Sequence, residues 1–311
     1  MQEIGILGAG LIGASWATFF AAQGLKVRIF DVNDTVKQQA LDQSVKNLQR
    51  LTELELLTQQ ATATAEENLK LVDSLEELLL DVEYVQESVI EDYEIKADVY
   101  RQFEQHAPET AILGSSSSGL LMTRMQAVMQ NPGRALIAHP FNPPHLIPLV
   151  ELVPGEQTEV ETMEKVKAFF LELGKHPVVL KKEVPGHIAN RLAAAVWRES
   201  LALLDAGVAS VEDIDAALCQ GPGLRWALMG QHQIYELGGG AGGYQKFIDT
   251  IGASFEAYWE DMEHWTSIPE SAKQKAVSGT QVYLNQKSPA EWAAWRDEKL
   301  ARIQQILREE R

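Results

Sequence analysis

Residues 4–31 read IGILGAGLIGASWATFFAAQGLKVRIFD, and this stretch decides the fold. An apolar run at 4–7 leads into Gly8-Ala9-Gly10-Leu11-Ile12-Gly13. A nearly all-apolar helical segment follows, Gly24 stands where that helix should stop, and a second strand at 27–30 ends on Asp31. A glycine pattern alone is weak, but the order strand, turn, helix, strand gives it a physical use. Small residues let the backbone approach a pyrophosphate at a helix N-terminus, where unpaired N–H groups and the dipole favour negative charge. Gly8, Gly10, Leu11, Ile12 and Gly13 are therefore the candidate pyrophosphate contacts. Asp31, eighteen residues after Gly13, is placed to accept both ribose hydroxyls of an adenosine. Its carboxylate would repel a 2′-phosphate, and Val32 and Asn33 offer no arginine in compensation, so the expected cofactor is NAD rather than NADP. Asp31 could instead cap the next helix, a task that Asn33 or Asp34 fills equally well.

Outward from this stretch, short β-branched runs alternate with longer helical patterns as far as about residue 182. Strands are expected at 4–7, 27–30, 69–72, 84–86, 111–113, 135–138, 147–152 and 177–180. Helices are expected at 11–23, 34–60, 75–80, 93–106 and 160–173. That order predicts an α/β domain with a doubly wound, mostly parallel sheet of Rossmann type. The connection 34–68 is longer than a crossover needs. Val36, Ala40, Leu41, Val45, Leu48, Leu51 and Leu54 recur near helical spacing within it, which predicts a projecting helical hairpin. After Pro185-Gly186 no convincing strand follows, and helical patterns at 189–206, 213–219 and 289–308 predict an all-α second domain. The expected division is 1–185 and 186–311, with a hinge near 183–186.

A chain of 311 residues suits two domains, each with its own core. Its formal net charge of −17 excludes nucleic acid and anionic membrane surfaces as natural partners, since both require a cationic footprint. The single cysteine, Cys219, permits neither an intrachain disulfide nor a cysteine zinc site, and no metal is expected. No apolar stretch reaches the roughly 18 residues of a membrane span. The N-terminus runs directly into a strand, without the basic and apolar regions of a signal peptide, so a cytoplasmic protein is expected.

The chemistry concentrates in IAHPFNPPHLIPLVELVPG, residues 137–155. His139 follows an apolar strand, and open α/β sheets hold their ligands at such strand ends. Glu151 lies twelve residues later between Val150 and Leu152, where a carboxylate is costly to bury without a partner. Oxidising an alcohol by hydride transfer needs a base for the hydroxyl proton, and imidazole suits it because its pKa is near neutrality. A buried carboxylate would orient that imidazole and stabilise its protonated form. Taken singly, each residue could equally be a hydrogen-bonded core histidine or a glutamate paired with a lysine.

HPFNPPHLIPLVE (139–151) resembles the His-x-Phe-Asn-Pro…Glu signature of the 3-hydroxyacyl-CoA dehydrogenase family, with the same spacing. GSSSSGLL (114–121) is similar to that family's serine-rich loop, and KKEVPGHIANRL (181–192) to its Pro-Gly-Phe-x-x-Asn-Arg-Leu segment. ESVIEDYEIK (87–96) resembles the stretch that lies along the cofactor. The resemblance implies His139 as general base in oxidation, held by Glu151. It implies that Ser118 and Asn190 hydrogen-bond the reacting oxygen and the substrate's carbonyl or carboxylate, and it adds Glu91 and Lys96 to the cofactor contacts. Two positions depart from the pattern: Gly119 where a second serine is common, and His187 where phenylalanine is common.

Acyl-CoA enzymes of the family carry a Gly-Pro-Phe-Glu-like segment in the helical domain. This chain has GPGLRWALMG (221–230) instead and continues through YELGGGAGGY (235–244). It more closely resembles the branch of L-carnitine dehydrogenases and L-gulonate 3-dehydrogenases, the latter including lambda-crystallin, which implies a free 3-hydroxy acid as substrate. Arg225 could bind the acid's carboxylate in a bidentate contact, unless it pairs with an acidic residue of its own domain or of a dimer mate. A trimethylammonium group favours aromatic faces, and Trp226, Trp197, Tyr235 and Tyr244 are candidates for that contact. His187, Gln231, His232 and Gln233 would suit a sugar acid. Lys37, Lys46 and Arg50 are the thin cationic provision for a CoA thioester. A non-catalytic, structural NAD-binding protein is the reading of another class. The resemblance also implies a homodimer joined through the helical domain, with Leu192, Val196 and Leu203 as apolar candidates for the contact.

Overall fold

The structure, a computed structural model, describes residues 1–309. Two compact units are present, Met1–Asn190 with Asp297–Arg302, and Arg191–Arg296 with the chain from Ile303 onward. The first unit opens with β1 (Glu3–Leu7), α1 (Leu11–Ala22), β2 (Lys26–Phe30), α2 (Asp34–Glu53), α3 (Gln59–Asn68) and β3 (Leu69–Leu71). It continues with α4 (Leu75–Leu79), β4 (Tyr84–Glu87), α5 (Tyr93–His106), β5 (Ile112–Ser115) and α6 (Met122–Gln126). β6 (Ala135–Pro140), β7 (Leu149–Pro154), α7 (Val160–Glu172) and β8 (His176–Val179) complete it. All eight expected strands are present, in one sheet of order β3-β2-β1-β4-β5-β6-β7-β8. Every neighbouring pair is parallel except β6 with β7.

The strands of the sheet's centre read as continuous apolar runs because helices cover both of its faces. On one face, Ile4, Ile6, Val27 and Ile29 pack with α1, α2 and α7; on the other, Val85, Leu113 and Ile137 pack with α4, α5 and α6. Helix α1 is apolar all round since the sheet lies on one side of it and α2 and α3 on the other. Its Phe20 is fully buried, with ring centroids at 5.3 Å from Trp16, 6.1 Å from Tyr84 and 6.0 Å from Phe169. The hairpin expected to project instead lies along α1. Ala40, Ser44 and Leu48 are buried there, the Ser44 hydroxyl donates to the Ala14 carbonyl at 3.0 Å, and Asn47 donates to Thr18. Two helices form it, as a hairpin requires, so the single helical span expected at 34–60 is broken at 54–58, where Glu55 has a positive φ of 59°. Asn33, Thr58, Ser74 and Asp92 cap the helices that follow them by accepting backbone N–H bonds.

α8 (Ala189–Asp205) opens the helical part, followed by α9 (Val211–Leu218), a π-turn at Cys219–Gly223, α10 (Leu224–Trp226) and α11 (Gln231–Gly238). α12 (Gly243–Asp261), α13 (Glu270–Leu284) and α14 (Pro289–Glu309) complete it. α11 packs on α12 through Tyr235 and Phe247, whose rings stack at 4.1 Å. Among the described residues no helix is long and apolar enough to cross a membrane. The first unit runs as far as Asn190. Backbone donors at 186, 188 and 189 bond to Ser118 and Glu151, which ties that segment to the sheet.

Removing the Phe20 ring leaves a cavity where five aromatic neighbours meet. Phe20→Ala should destabilise the first unit by about 3–5 kcal/mol, read from urea unfolding. A loss below about 1 kcal/mol would show that the cluster does not hold this face of the sheet.

Candidate active site

The antiparallel β6–β7 pair sets His139 directly opposite Glu151, so the twelve-residue spacing is a strand register. Residues facing each other in such a pair carry their side chains on the same face. The imidazole Nδ1 lies 3.0 Å from Glu151 Oε2, and the two residues are 6% and 1% exposed. The other carboxylate oxygen accepts the backbone N–H groups of Ile188 at 2.8 Å and Ala189 at 3.0 Å, where α8 begins. Burial by itself would raise the Glu151 pKa, but the His139 bond and these two amides together hold it below the usual carboxylate value. An ionised carboxylate only accepts, so Nδ1 carries a proton, and in the neutral ring the lone pair is then at Nε2. That is the tautomer a base needs.

The loop joining these strands is pinned to α1. Ser15 Oγ lies 2.7 Å from His145 Nδ1, and Lys175 donates to the carbonyls of Ile147, at 2.9 Å, and Pro144. The Lys175 ammonium also sits over the Phe19 ring at 4.1 Å, and burial pushes its pKa down to about 7.

Each serine of the 115–118 run is hydrogen-bonded. Ser115 donates to Glu87 at 2.7 Å, Ser116 accepts from Gln86 at 2.8 Å, and Ser117 donates to Glu91 at 2.6 Å. Ser118 gives Glu91 both its backbone N–H, at 2.7 Å, and its hydroxyl, at 3.2 Å; Gly119 adds a further N–H at 2.6 Å. Although partial burial works against the charge, these donors lower the Glu91 pKa to about 2. Glu91 thus faces the serine loop. Lys96, expected along the cofactor, is 1% exposed, and its ammonium lies 2.6 Å from Glu87, itself fully buried. Its place is behind the loop, neutralising Glu87.

At the cofactor end, Gly8 has φ 90°, and a Cβ there would meet the backbone of Ser88 and Val89 at 2.6–2.7 Å. A Cβ on Gly13 would meet the Gly8 carbonyl oxygen at 2.0 Å, which explains why that turn needs both glycines. Gly10 faces open space, and the α1 N-terminus at Leu11 and Ile12 has no side-chain cap, so its first N–H groups are free to hold an anion. Asp31 accepts the Ala9 N–H at 2.8 Å, while Asn33 caps α2 with bonds to Thr35 and Val36. The capping alternative for Asp31 is thereby taken by Asn33. These features fit a dinucleotide.

Asn190 directly follows the two amides bound to Glu151 and is half-buried. In the second unit, Arg225 is exposed on α10 without an ion pair among the described residues. Trp226 is 41% exposed and donates its indole N–H to Gln231. Sequence reasoning missed Glu87, which closes the serine loop from below. The signal was an acidic residue ending an otherwise apolar strand.

Because Glu91 is held at about 2 against an ordinary 4.5, its contribution to stability is complete above about pH 5 and lost as pH falls toward 2. Glu151, also lowered, acts in the same direction. Glu91→Gln should therefore flatten part of the acid fall in stability, measured as melting temperature from pH 6 to pH 2. Superimposable profiles for parent and variant would contradict the assignment.

Profiles of the 3-hydroxyacyl-CoA dehydrogenase family match the chain in order, the NAD binding domain over residues 3–184 and the C-terminal domain over 186–280. The L-carnitine dehydrogenase of Oceanobacillus iheyensis is 34% identical over 303 residues, covering 97% of each chain. That of a Pseudomonas species is 36% identical over 307 residues, covering 99% of this chain and 94% of the relative. Among solved structures, 5-formyl-3-hydroxy-2-methylpyridine 4-carboxylic acid 5-dehydrogenase, an NAD+-dependent dismutase, superposes with a TM-score of 0.85 at 27% identity over 99% of each chain. FadB2 of M. tuberculosis superposes with a TM-score of 0.71 at 26% identity, covering 90% of this chain and 94% of its own. Two family profiles in sequence and relatives at a third identity over nearly the full length show that the chain belongs to the 3-hydroxyacyl-CoA dehydrogenase family and is an NAD-dependent oxidoreductase.

Proposed function

We propose that the protein oxidises a free L-3-hydroxy acid, L-carnitine in the first place, to the 3-oxo acid. The register-matched His139–Glu151 pair carries the chemistry of this reading. NAD, when bound, supplies the hydride acceptor. His139 takes the hydroxyl proton at Nε2, and Glu151, ionised against Nδ1, stabilises the imidazolium that results. Ser118 and Asn190 hydrogen-bond the reacting oxygen and the carboxylate. Arg225 supplies the charge-assisted contact to that carboxylate, and Trp226 an aromatic face to the trimethylammonium group.

The two relatives named L-carnitine dehydrogenase support this substrate, as does the acidic chain's attraction for a cation. A CoA thioester would need cations on the hairpin. There Lys37 is buried against Asp34 and Asp73, and Arg50 is paired with Glu53, which weighs against it. Two polar groups that would suit L-gulonate are already engaged, Gln231 with Trp226 and His232 with Tyr244. A structural, non-catalytic role would explain the Ile188 and Ala189 bonds to Glu151 but gives no reason to set an imidazole against its other oxygen. The proposal includes a cytoplasmic homodimer joined through the helical unit, where Leu192 and Trp197 are 65% and 58% exposed.

Initial rates of NADH formation with L-carnitine, L-gulonate and L-3-hydroxybutyryl-CoA test the substrate. L-Carnitine should give the highest kcat/KM, and a higher value for either of the others reassigns it. His139→Gln should lower kcat by about a hundredfold or more, with NAD affinity unchanged. Full kcat in that variant would place the base elsewhere. Arg225→Met should raise the KM for the acid about tenfold or more with NAD binding intact, and an unchanged KM would remove Arg225 from the site.

A further inference from the structure

His187 follows Gly186 in the left-handed region of the backbone, at φ 49° after 79°. Glycine adopts that conformation freely, whereas a histidine does so at a steric cost. The side chain is 1% exposed, and its Nδ1 is a buried nitrogen without a hydrogen-bond partner. Strain and a bare buried nitrogen are both unfavourable, and backbone strain of this kind gathers at functional sites. What the residue gains is position. Its Nε2 lies 3.0 Å from the Ser117 carbonyl oxygen, and since a carbonyl only accepts, Nε2 carries the proton. Its ring centroid is 5.0 Å from that of His139, with the planes at 58°.

The neighbouring backbone works in the same sense. Gly186 donates to the Ser118 carbonyl at 3.0 Å, and Ile188 and Ala189 donate to Glu151. Four consecutive residues thus bind the serine loop on one side and the carboxylate behind His139 on the other. Within them, His187 is the one whose side chain reaches both loop and imidazole.

We propose that His187 is a positioning residue: its Nε2–H bond to Ser117 fixes the loop that presents Ser118, while its ring buttresses the imidazole of His139. The inference rests on the dehydrogenase reading above. Burial lowers the His187 pKa below the ordinary histidine value and the His139 charge lowers it further, while the Ser117 bond, Glu151 and Glu91 oppose. The ring is thereby biased toward its uncharged form beside His139. Phenylalanine would fill the same space against His139 but could not donate to Ser117.

The test compares the full-length parent, His187→Phe and His187→Gln with NAD and whichever acid the parent oxidises fastest. His187→Phe should lower kcat about tenfold, leave KM for NAD and for the acid within about twofold, and keep the parent melting temperature. His187→Gln, which retains an N–H donor, should recover much of the loss. In 15N NMR of the parent, His187 should show a protonated Nε2 and a bare Nδ1 throughout the pH range in which the enzyme is active. Unchanged kcat in His187→Phe, a rise in KM for the acid alone, a melting temperature that falls along with kcat, or no recovery by glutamine would overturn the proposal. A protonated Nδ1 would do the same. If the parent oxidises no acid, the dehydrogenase reading falls, and the NMR arm still decides whether His187 holds the Ser117 bond.

Discussion

A carboxylate buried in the middle of a β-strand is the constraint around which the site is organised. Glu151 is 1% exposed, and an unpaired charge there would be expensive enough to force protonation. Three N–H donors keep it ionised: the His139 imidazole across the strand pair and the amides of Ile188 and Ala189. Each solves a different problem. The imidazole bond selects the tautomer that leaves Nε2 as a base, and the two amides fix where the chain leaves the sheet for α8. The only antiparallel pair in the sheet is the one that sets these residues opposite each other. A parallel neighbour would have required a long crossover between them.

The same logic runs along the ends of the neighbouring strands. Glu87 closes β4 with Lys96 and Ser115 as partners, and Glu91 gathers Ser117, Ser118 and Gly119. Carboxylates with several donors each are rigid, because any displacement breaks several charge-assisted bonds together. The serine loop is thus held from two sides before any ligand arrives. Gly8 and Gly13 give the cofactor turn comparable rigidity, since their backbones approach within distances that no Cβ would allow. Preorganisation of this kind is what catalysis by positioned dipoles requires.

Much of this was legible in the sequence, for identifiable reasons. The strands were readable because each is a short apolar run between turn residues, and α1 because its glycines and apolar run leave little other choice. The cost of burying Glu151 suggested a meeting with His139 but left other partners open, and the family resemblance implied it. Other features depend on chain segments far apart. Nothing local to Lys96 says that its ammonium turns inward to Glu87, or to His187 that it reaches Ser117 seventy residues earlier. The attachment of 186–189 to the sheet was hidden behind Pro185-Gly186, which read as a boundary. Helices α11, α12 and α13 escaped notice because glycines at 238–243 interrupt the pattern and their apolar faces stay largely exposed.

The account stands on His139 and Glu151 acting as one unit, so a double-mutant cycle on kcat tests it most directly. Glu151→Gln should lower kcat strongly in the parent and hardly at all in a chain already carrying His139→Gln, giving a coupling close to the whole of the Glu151 effect. Losses that simply add would mean that Glu151 serves the fold apart from His139, and the proposed origin of the base would be wrong.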